Sequence, residues 1–151
     1  MKQSPITRRI VERMAPGALC RDGFLGDDPR PLEEIVDTDR STVEGLGTTH
    51  EALAERLRSI LDAAVRGLGT TVSIGGRLTA RYHETMGRIP CPWGKCGVFP
   101  KGEVELTDTA TGERLFFTSL TIHLIAAHGF YQGRGCRYRI EPATIHRMLE
   151  E

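Results

Sequence analysis

The sequence predicts an α+β fold: a small antiparallel β-sheet with packed helices, preceded by an extended N-terminal arm. Three observations predict it. Segment 48–68 repeats apolar residues at helical spacing behind a capping signal. Segments 72–82 and 104–117 alternate apolar and polar residues around turn residues. Residues 1–47 are broken by Pro, Gly and Asp and offer no core of their own. At 151 residues one domain is the default, divided here into an arm, 1–47, and an α+β domain, 48–151.

In chain order, Ile6, Ile10, Val11 and Met14 form the stripe of a first short helix, ended by Ala15-Pro16-Gly17. Cys20 to Pro31 reads as loop, with Phe24 and Leu25 as apolar residues that must dock elsewhere. Pro31 to Val36 opens a helical turn, and the polar stretch Asp37 to Gly47 ends it. The strongest helix follows. Thr48 and Glu51 have the spacing of a capping box, and Leu53, Leu57, Ile60, Leu61, Ala64 and Leu68 make its apolar face. Val72 to Tyr82 is a strand interrupted at Gly75-Gly76. Val104 to Phe117 is a hairpin turning at Asp108-Thr-Ala-Thr-Gly112. Thr118 or Ser119 caps a helix from Leu120 to His128, and Gly129 stops it. Gly133 to Ile140 is a glycine-broken loop running into a short basic strand, and Pro142 opens a last helix to Leu149.

Composition narrows the function classes. Twenty Lys plus Arg balance twenty Asp plus Glu, so the chain lacks the basic excess of a protein that lives by phosphate contacts. No uninterrupted apolar run approaches the ~18–20 residues of a bilayer span, which predicts no membrane association. The N-terminus lacks the apolar core of a secretion signal, and the expected compartment is cytoplasmic. There thiols stay reduced, and a close cysteine pair is a metal clip or redox pair before it is a disulfide.

That pair is Cys91-Pro-Trp-Gly-Lys-Cys96, and a histidine pair follows at His123-Leu-Ile-Ala-Ala-His128. Two thiols, a hairpin, a helix and two imidazoles is the order of parts in a four-ligand zinc site. Pro92 and Gly94 let the short loop turn. Ideal helix geometry sets His123 and His128 about 140° apart around the axis, so both reach one ion if the last turn loosens before Gly129. The predicted ligands are Cys91, Cys96, His123 and His128, the predicted cofactor is Zn2+, and Cys136 is a substitute for one histidine. Alternatively, His123 is a satisfied core histidine between Leu120, Leu124 and Ala127, and the cysteines are small buried hydrophobes.

Over Cys91–Gly129 the chain resembles Cys2His2 zinc fingers, and loosely the bacterial zinc-finger regulators of the Ros type. The His-Leu-x-x-x-His-Gly texture of 123–129 is the closest part. The resemblance implies a zinc-stapled ββα-like unit within 91–131, with those four residues as ligands. Two departures stand out. The central spacer is 26 residues, where a finger has about 12. Before His123 the helix offers Leu120, Thr121 and Ile122 rather than base-reading polar residues.

The leading functional expectation is a non-enzymatic, zinc-stabilised binding module docking on a protein or nucleic-acid partner, with neutral charge and apolar helix faces leaning toward protein. One alternative is a nucleic-acid-binding regulator that uses Arg134, Arg137, Tyr138 and Arg139, the one basic aromatic cluster. Another is a zinc hydrolase with Glu84 or Glu103 as general base. The deaminase signature fails, because His83 and Glu84 are adjacent and the cysteine gap is too wide. No P-loop, dinucleotide-binding glycine pattern or nucleophile elbow is present.

Overall fold

The computed structural model describes residues 3–150 and has the α+β architecture. The elements are α1 (Pro5–Arg13), α2 (Leu32–Gly45), α3 (His50–Arg66), β1 (Val72–Ile74), β2 (Leu78–His83), β3 (Arg88–Pro90), β4 (Val98–Pro100), β5 (Glu103–Asp108), β6 (Arg114–Thr118), α4 (Ser119–His128) and α5 (Pro142–Leu149). Four strands form an antiparallel sheet in the order β1-β2-β5-β6, and β3-β4 is a separate two-stranded hairpin.

The sheet is built as its alternation dictates. Val104, Leu106 and Asp108 of β5 point into the core, and Glu103, Glu105 and Thr107 point the other way. Leu106 lies opposite Ala80 of β2 and Leu115 of β6, which fixes the register on both sides. Asp108 is buried at the turn, where it accepts the Ala110 N–H at 2.9 Å and pairs with Arg77 at 3.3 Å.

Helix α4 spreads its large apolar side chains over more than one face, so it is packed on two sides, with Ala126 and Ala127 left exposed. Ile122 and Ile125 enter one cluster with the sheet and with α3 and α5. Leu120 and Leu124 enter a second with Ile10 and Met14, Phe24, Leu32 and Ile35, Ile89 of β3, and Phe130. The segment 3–47 thus contributes five buried side chains to the second cluster. Phe24 and Leu25, left without a local core by their loop, dock there.

Several local expectations are corrected. Helix α2 does not end at Val36 but runs to Gly45, and it buries Ile35, Asp39 and Val43 along one stripe. The polar Asp39 masked that stripe; it is buried against the Arg139 guanidinium. Helix α3 is capped by Thr49, whose hydroxyl accepts the Ala52 N–H at 3.1 Å, so the Thr48–Glu51 capping box does not form. Segment 133–140 contains no strand; its backbone turns twice before α5.

Candidate metal centre

The cysteine loop is held by three features. It closes the hairpin β3-β4, whose paired residues are Arg88↔Pro100, Ile89↔Phe99 and Pro90↔Val98. Its backbone takes left-handed conformations at Gly94 (φ 79°) and at Lys95 (φ 56°). Glycine enters that region freely, whereas a lysine there stores about 1 kcal/mol of strain that the surroundings must hold. From outside, Arg13 of α1 donates its Nε–H to the Pro92 carbonyl.

The histidines come from α4. Thr118 and Thr121 form a reciprocal capping box at its start. The last turn does not loosen. The Gly129 N–H bonds to Ile125 O at 3.0 Å and the Phe130 N–H to Leu124 O at 3.0 Å, a left-handed glycine closure (φ 60°). The imidazoles meet instead through their side chains, at 5.3 Å between centroids and 82° between planes. Gly129 is constrained twice, because a Cβ there would also lie 2.8 Å from the His50 ring.

Cys91, Cys96, His123 and His128 converge, their ligand atoms all within 4.8 Å of one another. His128 Nε2 lies 3.5 Å from Cys91 Sγ and 3.7 Å from Cys96 Sγ. A tetrahedral zinc with bonds of about 2.3 Å to sulfur and 2.0 Å to nitrogen sets S and N ligands about 3.5 Å apart. The two edges from His128 match that span. His123 Nε2 is buried and has no hydrogen-bond partner among the described residues. A satisfied core histidine would have one, and a metal ion could fill that place. The donor set therefore fits a borderline-soft metal ion. Burial pushes the Cys91 thiol up to about 11, with the neighbouring Cys96 adding to the shift and the backbone of Trp93 and Gly94 opposing it. Burial also holds His123 and His128 below the ordinary histidine range, helped by Arg58 at His123 and by His123 at His128. Low-pKa imidazoles suit metal ligation, and two thiolates would leave a divalent ion's site with no net charge.

Two aromatic rings that sequence reasoning did not assign pack against the two histidines. Trp93 stacks on His128 at 4.1 Å and 7°, and Phe99 of β4 stacks on His123 at 4.7 Å and 28°. A signal was present, since the chain's one tryptophan sits between the two cysteines. The long spacer has a structural reason. After the knuckle's own hairpin, the chain inserts β5 and β6 of the main sheet before reaching α4.

The remaining candidates lie elsewhere. Cys136 is outside the four-residue cluster, near Cys20. Arg139 is 7% exposed and engages Asp39 and Glu141, with Glu141 at 3.1 Å. Arg137 is bidentate to Glu103 (3.0 and 2.6 Å) and lies over the Phe116 ring, and the Tyr138 hydroxyl donates to the same carboxylate at 2.8 Å. The Arg134 side chain is exposed, and its backbone N–H bonds to Asp28 at 3.1 Å. Glu84 is exposed; Glu103, held by Arg137 and Tyr138 against the cost of burial, is kept below the usual carboxylate range. No helix among the described residues is long and apolar enough to cross a membrane. No family model, curated protein or solved structure matches this chain.

Proposed function

We propose that Cys91, Cys96, His123 and His128 hold a structural Zn2+ that ties the β3-β4 hairpin to the end of α4, within a non-enzymatic module that docks on a protein partner. The observation that carries this reading is the partnerless, buried His123 Nε2 inside a cage of three further soft donors. Four protein ligands complete a tetrahedron and leave no position for a reacting water, which favours a staple over a hydrolytic centre. A base for hydrolysis is also harder to supply, since Glu103 is bound by Arg137 and Tyr138. The nucleic-acid alternative is weakened by the intramolecular partners of Arg137 and Arg139 and by the balanced charge.

The test is elemental analysis of protein purified without added metal, beside a Cys91→Ser/His123→Ala double variant. One equivalent of zinc in the parent, with a metal-free variant of lower melting temperature, supports the staple. A metal-free parent that melts with the variant overturns it. Partner docking is tested separately, by measuring binding of the zinc-loaded chain to proteins and to duplex DNA over a salt series. A steep, salt-sensitive affinity for DNA would replace the protein-docking reading.

A further inference from the structure

A cleft of about 770 Å³ lies apart from the four metal ligands, between the loop 20–26 and the loop 132–138. Its volume is in the range of small-molecule sites, and such sites combine apolar walls with a few directed polar groups. Phe24, Ile89 and Leu120 supply apolar wall. Gln132 supplies the polar group. It is 4% exposed, lines the cleft, and its side-chain amide makes no hydrogen bond among the described residues. Its amide atoms are not among the buried polar atoms without a partner, so solvent in the cleft reaches them and a ligand that displaces that solvent can take its place.

The backbone makes the same residue harder to explain by packing. Gln132 sits at φ 68°, a conformation that favours glycine or asparagine over glutamine. It is held there from three sides. Arg139 donates to the Gln132 carbonyl at 2.9 Å, the preceding Tyr131 is fully buried, and the following Gly133 is pressed so closely on Leu25 that a Cβ would meet its carbonyl oxygen at 2.1 Å. Strain that the surroundings over-determine in this way gathers at binding sites.

Charge at the rim indicates what the amide would share. Arg21 and Lys101 line the cleft, are exposed, and form no ion pair among the described residues, and Asp22 is the carboxylate beside them. Arg137, also on the cleft, is occupied by Glu103. The Cys136 thiol, pushed up to about 11 by burial, stays protonated and acts as a small apolar wall rather than a nucleophile.

We propose that this cleft binds a small organic monocarboxylate, its apolar body against Phe24, Ile89 and Leu120, a hydroxyl or carbonyl on that body paired with the Gln132 amide, and its carboxylate at Lys101 and Arg21. None of the four proposed metal ligands lines the cleft.

The experiment is calorimetric titration of the full chain, as purified, with 4-hydroxyphenylacetate, its neutral amide, and phenylacetate. Saturable binding of the hydroxy acid is expected, with both comparison probes weaker by about tenfold, the effect of one lost polar contact. Gln132→Gly should abolish the advantage of the hydroxyl while the melting temperature stays level or rises, since glycine relieves the left-handed backbone. Lys101→Ala should abolish the advantage of the acid over its amide. The proposal is overturned if the parent shows no saturable binding, if Gln132→Gly binds the three probes as the parent does, or if Gln132→Gly melts well below the parent, which would make the amide a structural group.

Discussion

Arg139 and Asp39 show how one side chain can look functional in a sequence and be structural in the fold. The pair is buried on both sides, and the same guanidinium also reaches Glu141 and the Gln132 carbonyl. Removing one member leaves the other charge buried without its counter-ion. Arg139→Ala should therefore cost about 3–5 kcal/mol, read from denaturant midpoints. A loss within experimental error would return Arg139 to the list of partner contacts. Asp28 acts at the same scale. It accepts from the Arg30 side chain at 2.7 Å and from the Arg134 N–H at 3.1 Å, and the Arg30 contact chiefly holds its carboxyl well below the usual carboxylate range. A depressed carboxyl pKa contributes stability above the unfolded value of about 3.9 and loses it as pH falls below that. Asp28→Asn should be less stable at neutral pH and show a shallower fall in urea midpoint between about pH 4 and pH 2. Parallel curves for parent and variant would refute that role.

At the scale of elements, what was legible in the sequence was what short-range pattern encodes. The alternation of β5, the Asp108 turn and the start and stop of α4 follow from neighbours two to five residues away. The grouping of Cys91, Cys96, His123 and His128 was also legible, because thiols and imidazoles in that order have few other uses. The hairpin β3-β4 was not, since Arg88–Pro90 and Val98–Pro100 are too short to show a period. The length of α2 was hidden by Asp39, whose partner lies a hundred residues away. The cleft was invisible for the same reason: residues 20–26 and 132–138 are brought together only by the fold. The hairpin carries a consequence of its own. An isolated two-stranded ribbon is marginal in water, and this one has only three residue pairs. Its order must come from contacts outside itself: Trp93 and Phe99 stacked on the α4 histidines, Arg13 on Pro92, and Ile89 in the second cluster.

At the scale of the molecule, α4 divides the interior. The cluster with the sheet, α3 and α5 contains none of the four ligands, whereas the other contains Cys91, with Cys96 packed against it. Chelating the metal should therefore loosen one half of the protein and spare the other. Amide exchange after chelation is expected to quicken in β3, β4 and α1, while β2, β5 and α3 keep their protection. Emission from Trp93, the chain's one tryptophan and the ring stacked on His128, should change in the same titration. Uniform loss of protection across both halves would mean that the metal supports the whole fold.

The second cluster also joins the two ends of the chain's timetable. Ile10, Met14, Phe24 and Ile35 are made first, yet they are covered by Leu120, Leu124 and Phe130. At ordinary rates of synthesis of about 5–20 residues per second, those early side chains wait several seconds for their cover. The apolar faces of α1 and α2 therefore stay without their native cover until α4 has been made.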